Sequence, residues 1–198
     1  MAMIHVPHLG DNYFEVSSTL SAIISIQNVI NEKQESIVAD VVKDEVYDDD
    51  PEVNASMESQ MLYYTEENVI RECSYSYVLL ACSAIEKTIK LLNTDGLEKK
   101  TRNEGYGDYF RRTNIVPSMS IDTVNFLNDI FTLRHWIAHR NGKINIQKIS
   151  EEERKLLERA GKNIETDNHY ITIKHEYVDK MVKGIDAFLK QVAKAKYE

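Results

Sequence analysis

Proline, glycine and cysteine are scarce in this chain of 198 residues, which contains three Pro, seven Gly and two Cys. So few Pro and Gly, together with 42% hydrophobic residues, favour a mainly helical globular protein. Cys73 and Cys82 lie in one predicted helix with about 13 Å of rise between them, which is too far for a disulfide. They predict reduced, buried thiols in a cytosolic protein.

The sequence also lacks an excess of positive charge and a long apolar run. The formal net charge of -8 argues against a broad basic surface for duplex nucleic acid, although it allows a local basic cleft. No apolar run approaches the roughly 18 residues of a membrane span, and the N-terminus has no charged region followed by an apolar one. We therefore expect a soluble, cytoplasmic protein with no membrane partner. The sequence also has no Gly-rich phosphate loop, nucleophile elbow or Ser/His/Asp pattern.

The most informative stretch, LRHWIAHRNGKI, covers residues 133–144 and ends a long predicted helix. Ser118 or Ser120 can cap the start of this helix, and Asn141-Gly142 is a typical end. The helical period gives two neighbouring apolar stripes, so we expect one to face the core and the other a helix or a second copy of the chain. The first stripe contains Phe126, Ile130, Leu133 and Ile137, and the second contains Leu127, Phe131 and Ala138.

Three cationic or imidazole side chains lie near the end of this helix, namely Arg134, His135 and His139. Arg134 and His139 are about 140° apart around the helix, so one straight helix cannot place both on one small group. A two-fold axis beside this face would bring two sets of Arg and His into one cleft. The spacing therefore favours a homodimer, with another helix as the alternative partner of this face.

Residues 134–139, RHWIAH, resemble the motif of HEPN domains, in which an Arg is followed by four to six residues and a His. The polar residue that usually follows the Arg is His135 here, the chain continues as AHRNG, and an upstream helix carries Glu86 where many members have an acid. The resemblance covers roughly residues 56–189. It implies a small helical bundle, which in many members is a metal-independent endoribonuclease of a prokaryotic toxin, abortive-infection or other defence system. Other members have lost catalysis and bind a protein or a nucleotide.

Cleavage of RNA without a metal needs a base for the ribose 2'-hydroxyl, a cation for the phosphorane charge and an acid for the leaving 5'-oxygen. The resemblance assigns acid/base work to His139, phosphate and transition-state binding to Arg134, and orientation or substrate contact to His135. Arg140 and Asn141 are secondary substrate-binding residues in this interpretation. The implied product has a 2',3'-cyclic phosphate end, and no metal or cofactor is expected.

Other interpretations of these residues stay open. The Arg and His side chains can instead form a buried network that ties the helix to its neighbours, and two His four residues apart can bind zinc. Glu86 either pairs with Lys90 on an exposed helix face or holds Arg134 or a histidine. The resemblance favours the second role, which makes Glu86 a candidate catalytic-site residue.

Residues 96–120 form a long connection in which cationic and aromatic residues are interleaved. Such side chains suit single-stranded RNA, which offers phosphates and unstacked bases. The alternative is a loop that packs its aromatic rings on the bundle. The candidate RNA-binding residues are Lys99, Lys100, Arg102, Tyr106, Arg111 and Arg112.

The resemblance implies one HEPN-like domain over residues 1–198, to which helical and turn patterns add an N-terminal arm over 1–16 and a first helix plus acidic turn over 17–55. The fold class is all-α, a bundle of four to five helices with a small β-ribbon after the motif helix. RNA, a second copy of the chain, and an antitoxin or other protein are the expected partners.

Further elements follow from apolar periodicity and from turn residues. A second helix is expected from Asn54 or Ser56 to Leu92, with either a bend near residues 71–76 or an extended pairing with the first helix. Two alternating segments, 143–147 and 169–173, predict paired strands. Small and final helices are expected over 150–160 and 176–194.

Overall fold

The computed structural model describes residues 50–92, 99–102, 104–167 and 169–197, and before them only positions 18, 21–22, 24–26, 28–29, 32–33 and 36. These early positions are helical, in agreement with a first helix that begins near residue 17. The rest of that helix, the predicted N-terminal arm over 1–16 and the acidic turn before Asp50 lie outside the described residues.

The described part of the chain from Asp50 onward is mainly helical, as predicted. Its elements are α1 Pro51–Leu92, α2 Tyr106–Arg112, α3 Ile121–Arg140, α4 Glu151–Ala160, β1 Ile164–Asp167, β2 Tyr170–Ile173 and α5 His175–Tyr197. The expected all-α class with a small β-ribbon is therefore confirmed. None of the helices in these described ranges combines the length and apolar character that crossing a membrane requires.

Helix α3 carries the RHWIAH motif, and its ends follow the predicted capping residues. The Ser120 side chain accepts a hydrogen bond from the backbone N–H of Thr123 at the start. At the end, Asn141 takes the left-handed conformation with φ of 51°, and its N–H donates to the carbonyl of Trp136. Such capping satisfies backbone groups that a helix end leaves open, which fixes where the motif residues stop.

Both predicted stripes of α3 are buried over most of their length. Ile130 and Leu133 of the first stripe are buried, as are Leu127 and Phe131 of the second. Helix α2 covers part of the second stripe, because Tyr106 stacks on Phe131 with 3.8 Å between the ring centroids. Ala138, at the end of that stripe, remains exposed.

Helix α1 spans 42 residues and is unbroken through residues 71–76, where a bend was one of the two predicted alternatives. It begins at Pro51, a few residues before the predicted start. Proline suits the first helical position, and the Asp50 carboxylate accepts from the N–H of Glu52 at 2.9 Å. Of the two thiols expected to be buried, Cys82 is buried and Cys73 is partly exposed.

The prediction of the β-ribbon was correct for one strand and wrong for the other. Strand β2 pairs antiparallel with β1, in the register Ile164↔Ile173, whereas residues 143–147 do not form a strand. Lys143 makes one isolated bridge to Tyr170, after which the Asn145 side chain accepts from the N–H of Gln147 and starts a 3-10 turn. Only two residues connect β1 to β2, so their pairing costs less loop-closure entropy than pairing with 143–147.

Helices α4 and α5 match their predicted ranges closely. Ser150 and Glu153 form a capping box at the start of α4, in which each side chain bonds the other residue's backbone N–H. Helix α5 buries the whole of its expected apolar face. That face contains Val178, Met181, Val182, Ile185, Phe188, Leu189 and Val192.

Candidate functional site

The motif residues occupy the last two turns of α3, where buried and accessible side chains alternate. Leu133 and Trp136 are fully buried, and they fix the helix against the core. Between and beyond them, the side chain of Arg134 is 37% exposed, and His135 and His139 lie on the surface. Packing within the described part of the chain therefore leaves the motif's cationic and imidazole groups accessible.

Glu86 lies beside Arg134, as one of its two predicted roles requires. Its Oε1 is 3.7 Å from Nη2 of Arg134, and the Tyr106 hydroxyl donates to the same oxygen at 3.2 Å. The Nζ of Lys100 lies 4.9 Å from the centroid of the Tyr106 ring. Two residues of the long connection, Lys100 and Tyr106, are thereby brought to the Arg134 side of α3. Lys90, the other predicted partner of Glu86, has its side chain outside the described residues.

The two imidazoles form a pair on the neighbouring side of the helix. The ring centroids of His135 and His139 are 4.9 Å apart. Partial burial lowers the pKa of His135, and the neighbouring Arg140 and His139 side chains lower it further. His135 is therefore a neutral imidazole at neutral pH, able to accept a proton or to donate one hydrogen bond.

Glu153 of α4 accepts hydrogen bonds from two residues near the end of α3. The sequence pattern did not predict these contacts. Glu153 Oε1 accepts from Trp136 Nε1 at 2.6 Å and from Arg140 Nη1 at 3.2 Å, and its Oε2 accepts from the N–H of Ser150 at 2.7 Å. Burial opposes the charge, but these hydrogen bonds outweigh it and lower the pKa of Glu153. A carboxylate thus holds the only Trp and orients Arg140.

Two of the remaining cationic residues of the connection form ion pairs with acidic residues of the same segment. Arg111 pairs with Asp108 at 3.3 Å, and Arg112 grips the Glu104 carboxylate at 2.6 and 2.9 Å. The Arg112 guanidinium lowers the pKa of Glu104 to about 2. Lys99 and Arg102 are exposed, and among the described contacts neither touches a motif residue.

The aromatic residues of the connection divide between the two predicted roles. Tyr109 and Phe110 are buried in the core, where Phe110 stacks on Phe188 with 5.6 Å between centroids. They follow the alternative in which the loop packs its rings on the bundle. Tyr106 is partly exposed and contacts Glu86, so it alone of the three reaches the motif region.

Asn141 closes α3 through its backbone conformation, and its side chain is exposed. It therefore lies next to His139 and Arg140 at the free end of the helix. Zinc was an alternative for His135 and His139. Among the residues that the structure describes, no three or more His, Cys, Asp or Glu side chains are grouped as metal binding would need.

The arrangement presents two chemically different sides of one helix end. Arg134, Glu86, Tyr106 and Lys100 form the cationic side, and the two imidazoles with Arg140 form the other. A guanidinium held by a carboxylate can still bind phosphate oxygens with its remaining N–H groups, because it has five donors. An imidazole can act as a general acid or base in such a step. These are the groups that metal-independent cleavage of a phosphodiester needs.

Comparison of the chain with protein-family models, curated proteins and solved structures found no match. The HEPN assignment therefore rests on the motif residues and on their place at the end of α3.

Proposed function

We propose that this chain is a metal-independent endoribonuclease of the HEPN type, acting as a homodimer in a toxin or defence system. The observation that supports it best is the accessibility of Arg134, His135 and His139 beside fully buried neighbours. A network that served only to hold the fold would be sealed by packing. Here the same helix turns bury Leu133 and Trp136 and leave the reactive groups open.

The proposed reaction uses the 2'-hydroxyl of the RNA as the nucleophile. The imidazole of His139 removes the hydroxyl proton, and the 2'-oxygen attacks the adjacent phosphorus. Arg134 binds the non-bridging phosphate oxygens, where negative charge develops in the transition state. The His139 imidazolium, which carries the proton taken from the 2'-hydroxyl, then protonates the leaving 5'-oxygen. The bond to the 5'-oxygen breaks, and the other fragment ends in a 2',3'-cyclic phosphate.

Glu86 and Tyr106 act as positioning residues for Arg134. The carboxylate is 3.7 Å from the guanidinium and also accepts the Tyr106 hydroxyl, so it is itself held from a second direction. Because a guanidinium loses rotamer freedom when it binds phosphate, holding it in advance lowers the entropy cost of that step. Lys100 adds positive charge on the same side.

A second copy of the chain completes the site in this proposal. Arg134 and His139 project about 140° apart from one helix, so a single subunit does not converge them on one phosphate. Exposed Ala138 lies between them and allows close approach of a two-fold related helix. RNA would then lie along a cleft formed by both subunits, and an antitoxin or other protein would regulate access to it.

The alternative is a non-catalytic helical module that binds a protein or a nucleotide, and one feature of α1 favours a protein partner. Four large apolar side chains on its first half are exposed at helical spacing. Such a stripe is typical of a surface that packs against another protein. The residues are Val53, Met57, Met61 and Tyr64.

Cleavage of labelled RNA in the presence of EDTA separates the two proposals. The variants His139→Ala and Arg134→Ala are compared with His169→Ala, which removes an exposed imidazole outside the motif. We expect wild-type protein and His169→Ala to cut equally and the two motif variants to lose at least about a hundredfold in rate, as for removal of an acid/base group. Equal cutting by all four, or none by the wild type over a broad RNA panel, would favour the binding module.

A further inference from the structure

A cleft of about 430 Å³ lies between the first half of α3 and helix α5, with α4 at one end. Its volume falls in the range of small-molecule sites, roughly 300–1,000 Å³. The walls are largely apolar and include Phe126, Met181 and Phe188. Phe188 is held by its stacking on Phe110, so this wall is preformed.

The inner end of the cleft contains an ion pair between α3 and α4. Asp129 is only 7% exposed, and Arg159 grips it through Nε at 2.8 Å and Nη2 at 2.5 Å. Each carboxylate oxygen of Asp129 therefore accepts one hydrogen bond from the Arg159 guanidinium. Arg159 retains its Nη1 donors, and its side chain is 37% exposed. The pair therefore presents hydrogen-bond donors, and no free carboxylate oxygen, to the cleft.

The hydroxyl of Tyr177 is a second donor at the same place. Tyr177 is 6% exposed, lines the cleft, and makes no hydrogen bond to any residue that the structure describes. Buried Tyr hydroxyls usually have a partner, so this one is free for a ligand. Burial and the Asp129 charge raise its pKa, which keeps the hydroxyl protonated as a donor.

Charge at the mouth of the cleft limits the ligand further. Lys180 and Asp122 line it with opposite charges, and Asp129 and Arg159 cancel each other. Repulsion from the Asp122 and Asp129 carboxylates disfavours a ligand with several negative charges. One acidic group, placed between Arg159, Tyr177 and Lys180, finds three donors.

We propose that this cleft binds a small organic monoanion that joins an aromatic or aliphatic ring to one carboxylate-like group. The ring packs against Phe126 and Ala187, above the buried Phe188, and the acidic group lies against Arg159 and Tyr177. The site is separate from the motif, because Asp129 and Arg134 are about 140° apart around α3. Its ligand and an RNA substrate can therefore bind independently.

Equilibrium binding of naphthalene-2-carboxylate, measured by isothermal titration calorimetry, tests this site. The neutral naphthalene-2-carboxamide has the same ring system and serves as the matched probe. We expect one carboxylate per chain and at least about fivefold weaker binding of the amide, because only the anion gains charge-assisted hydrogen bonds. No binding of the carboxylate at about 1 mM, or equal binding of both probes, would overturn the proposal.

Two variants in the cleft and one control outside it test whether the probe binds at this place. Ala187 is exposed at the mouth, so Ala187→Phe fills the cleft without disturbing the core and is expected to weaken binding at least about tenfold. Tyr177→Phe removes only the free hydroxyl and is expected to weaken binding about three- to tenfold, with unchanged unfolding. Ala195→Phe is also exposed on α5, one turn beyond the last lining residue Gln191, does not itself line the cleft, and should bind like the wild type. Wild-type affinity in Ala187→Phe would contradict the assignment.

Discussion

At the end of α3, the side chains that pack in the core and those that are accessible to a ligand belong to different residues. Trp136 is fully buried and donates to Glu153, so it holds the helix against α4. The side chains of His135 and His139 are exposed, so they do not hold the helix in this way. Replacement of either imidazole should therefore change chemistry more than folding, since exposed substitutions usually alter stability by less than about 0.5 kcal/mol.

The pKa of His135 should rise in Arg140→Gln. The variant removes a positive charge near the imidazole, and it also frees Glu153, whose negative charge favours the protonated ring. Titration of the His135 ring protons by NMR measures this shift. Arg154→Gln removes an exposed charge elsewhere on α4 and should leave the His135 pKa unchanged. A lower pKa in Arg140→Gln would contradict the assigned cause.

Glu86→Gln should reduce RNA cleavage and leave stability nearly unchanged. The ion pair with Arg134 is partly exposed and 3.7 Å long, so its contribution to folding is at most about 1 kcal/mol. Loss of a well-placed guanidinium should lower the rate about tenfold, equivalent to about 1.4 kcal/mol of barrier. Single-turnover cleavage and urea unfolding are measured on the same samples. Glu58→Gln, on the exposed first half of α1, is the matched control.

At the scale of elements, α1 and the β-ribbon position the end of α3. The hydroxyl of Tyr75 donates to the carbonyl of Ile171 at 2.7 Å, which joins α1 to β2. Gly142, with φ of +70°, packs directly on the Tyr75 ring, since a Cβ there would lie 1.9 Å from the hydroxyl oxygen. The turn after the motif is thus fixed by a close approach that only glycine permits.

Tyr75→Phe should destabilise the protein by about 1–3 kcal/mol, because it leaves the Ile171 carbonyl without its buried donor. Urea unfolding followed by circular dichroism measures the free energy. Tyr64→Phe removes the hydroxyl of an exposed ring on the same helix and should cost almost nothing. Equal stabilities of the two variants would argue against the α1 to β2 contact.

The elements that could be predicted are those specified by neighbouring residues. The ends of α3 follow from Ser120 and Asn141, and its buried faces follow from helical periodicity, because both signals act within a few residues. The prediction of the strand that pairs with β2 was wrong because residues 143–147 alternate like a strand. In the structure, the Asn145 side chain starts a local turn there. The contact of Glu153 with Trp136 depends on how α4 folds back, which no local pattern encodes.

At the scale of the whole molecule, the proposed ribonuclease and its RNA substrate both carry negative charge. The net charge of -8 opposes RNA binding at long range, so attraction must come from local cations such as Arg134 and Lys100. Two copies of this group in one cleft would double the local positive charge. Association of the chain and catalysis are therefore coupled in this account.

Ala138→Glu should convert the protein to a monomer and abolish cleavage. Ala138 is exposed in one chain, so the new carboxylate is harmless to folding, but a two-fold axis would place two such charges together. Light scattering gives the mass, and circular dichroism verifies the fold. Ala195→Glu adds the same charge to an exposed position on α5 and should remain dimeric and active. A monomeric wild type that cuts RNA would contradict the dimer proposal.

The chemistry of the product ends distinguishes the proposed reaction from metal-dependent hydrolysis of RNA. RNA cut by the wild-type protein in EDTA is analysed by mass spectrometry of the fragments. In the proposed reaction the 2'-oxygen is the nucleophile, so we expect 2',3'-cyclic phosphate and 5'-hydroxyl ends. Fragments with 3'-hydroxyl and 5'-phosphate ends, or cleavage that needs added metal, would contradict it.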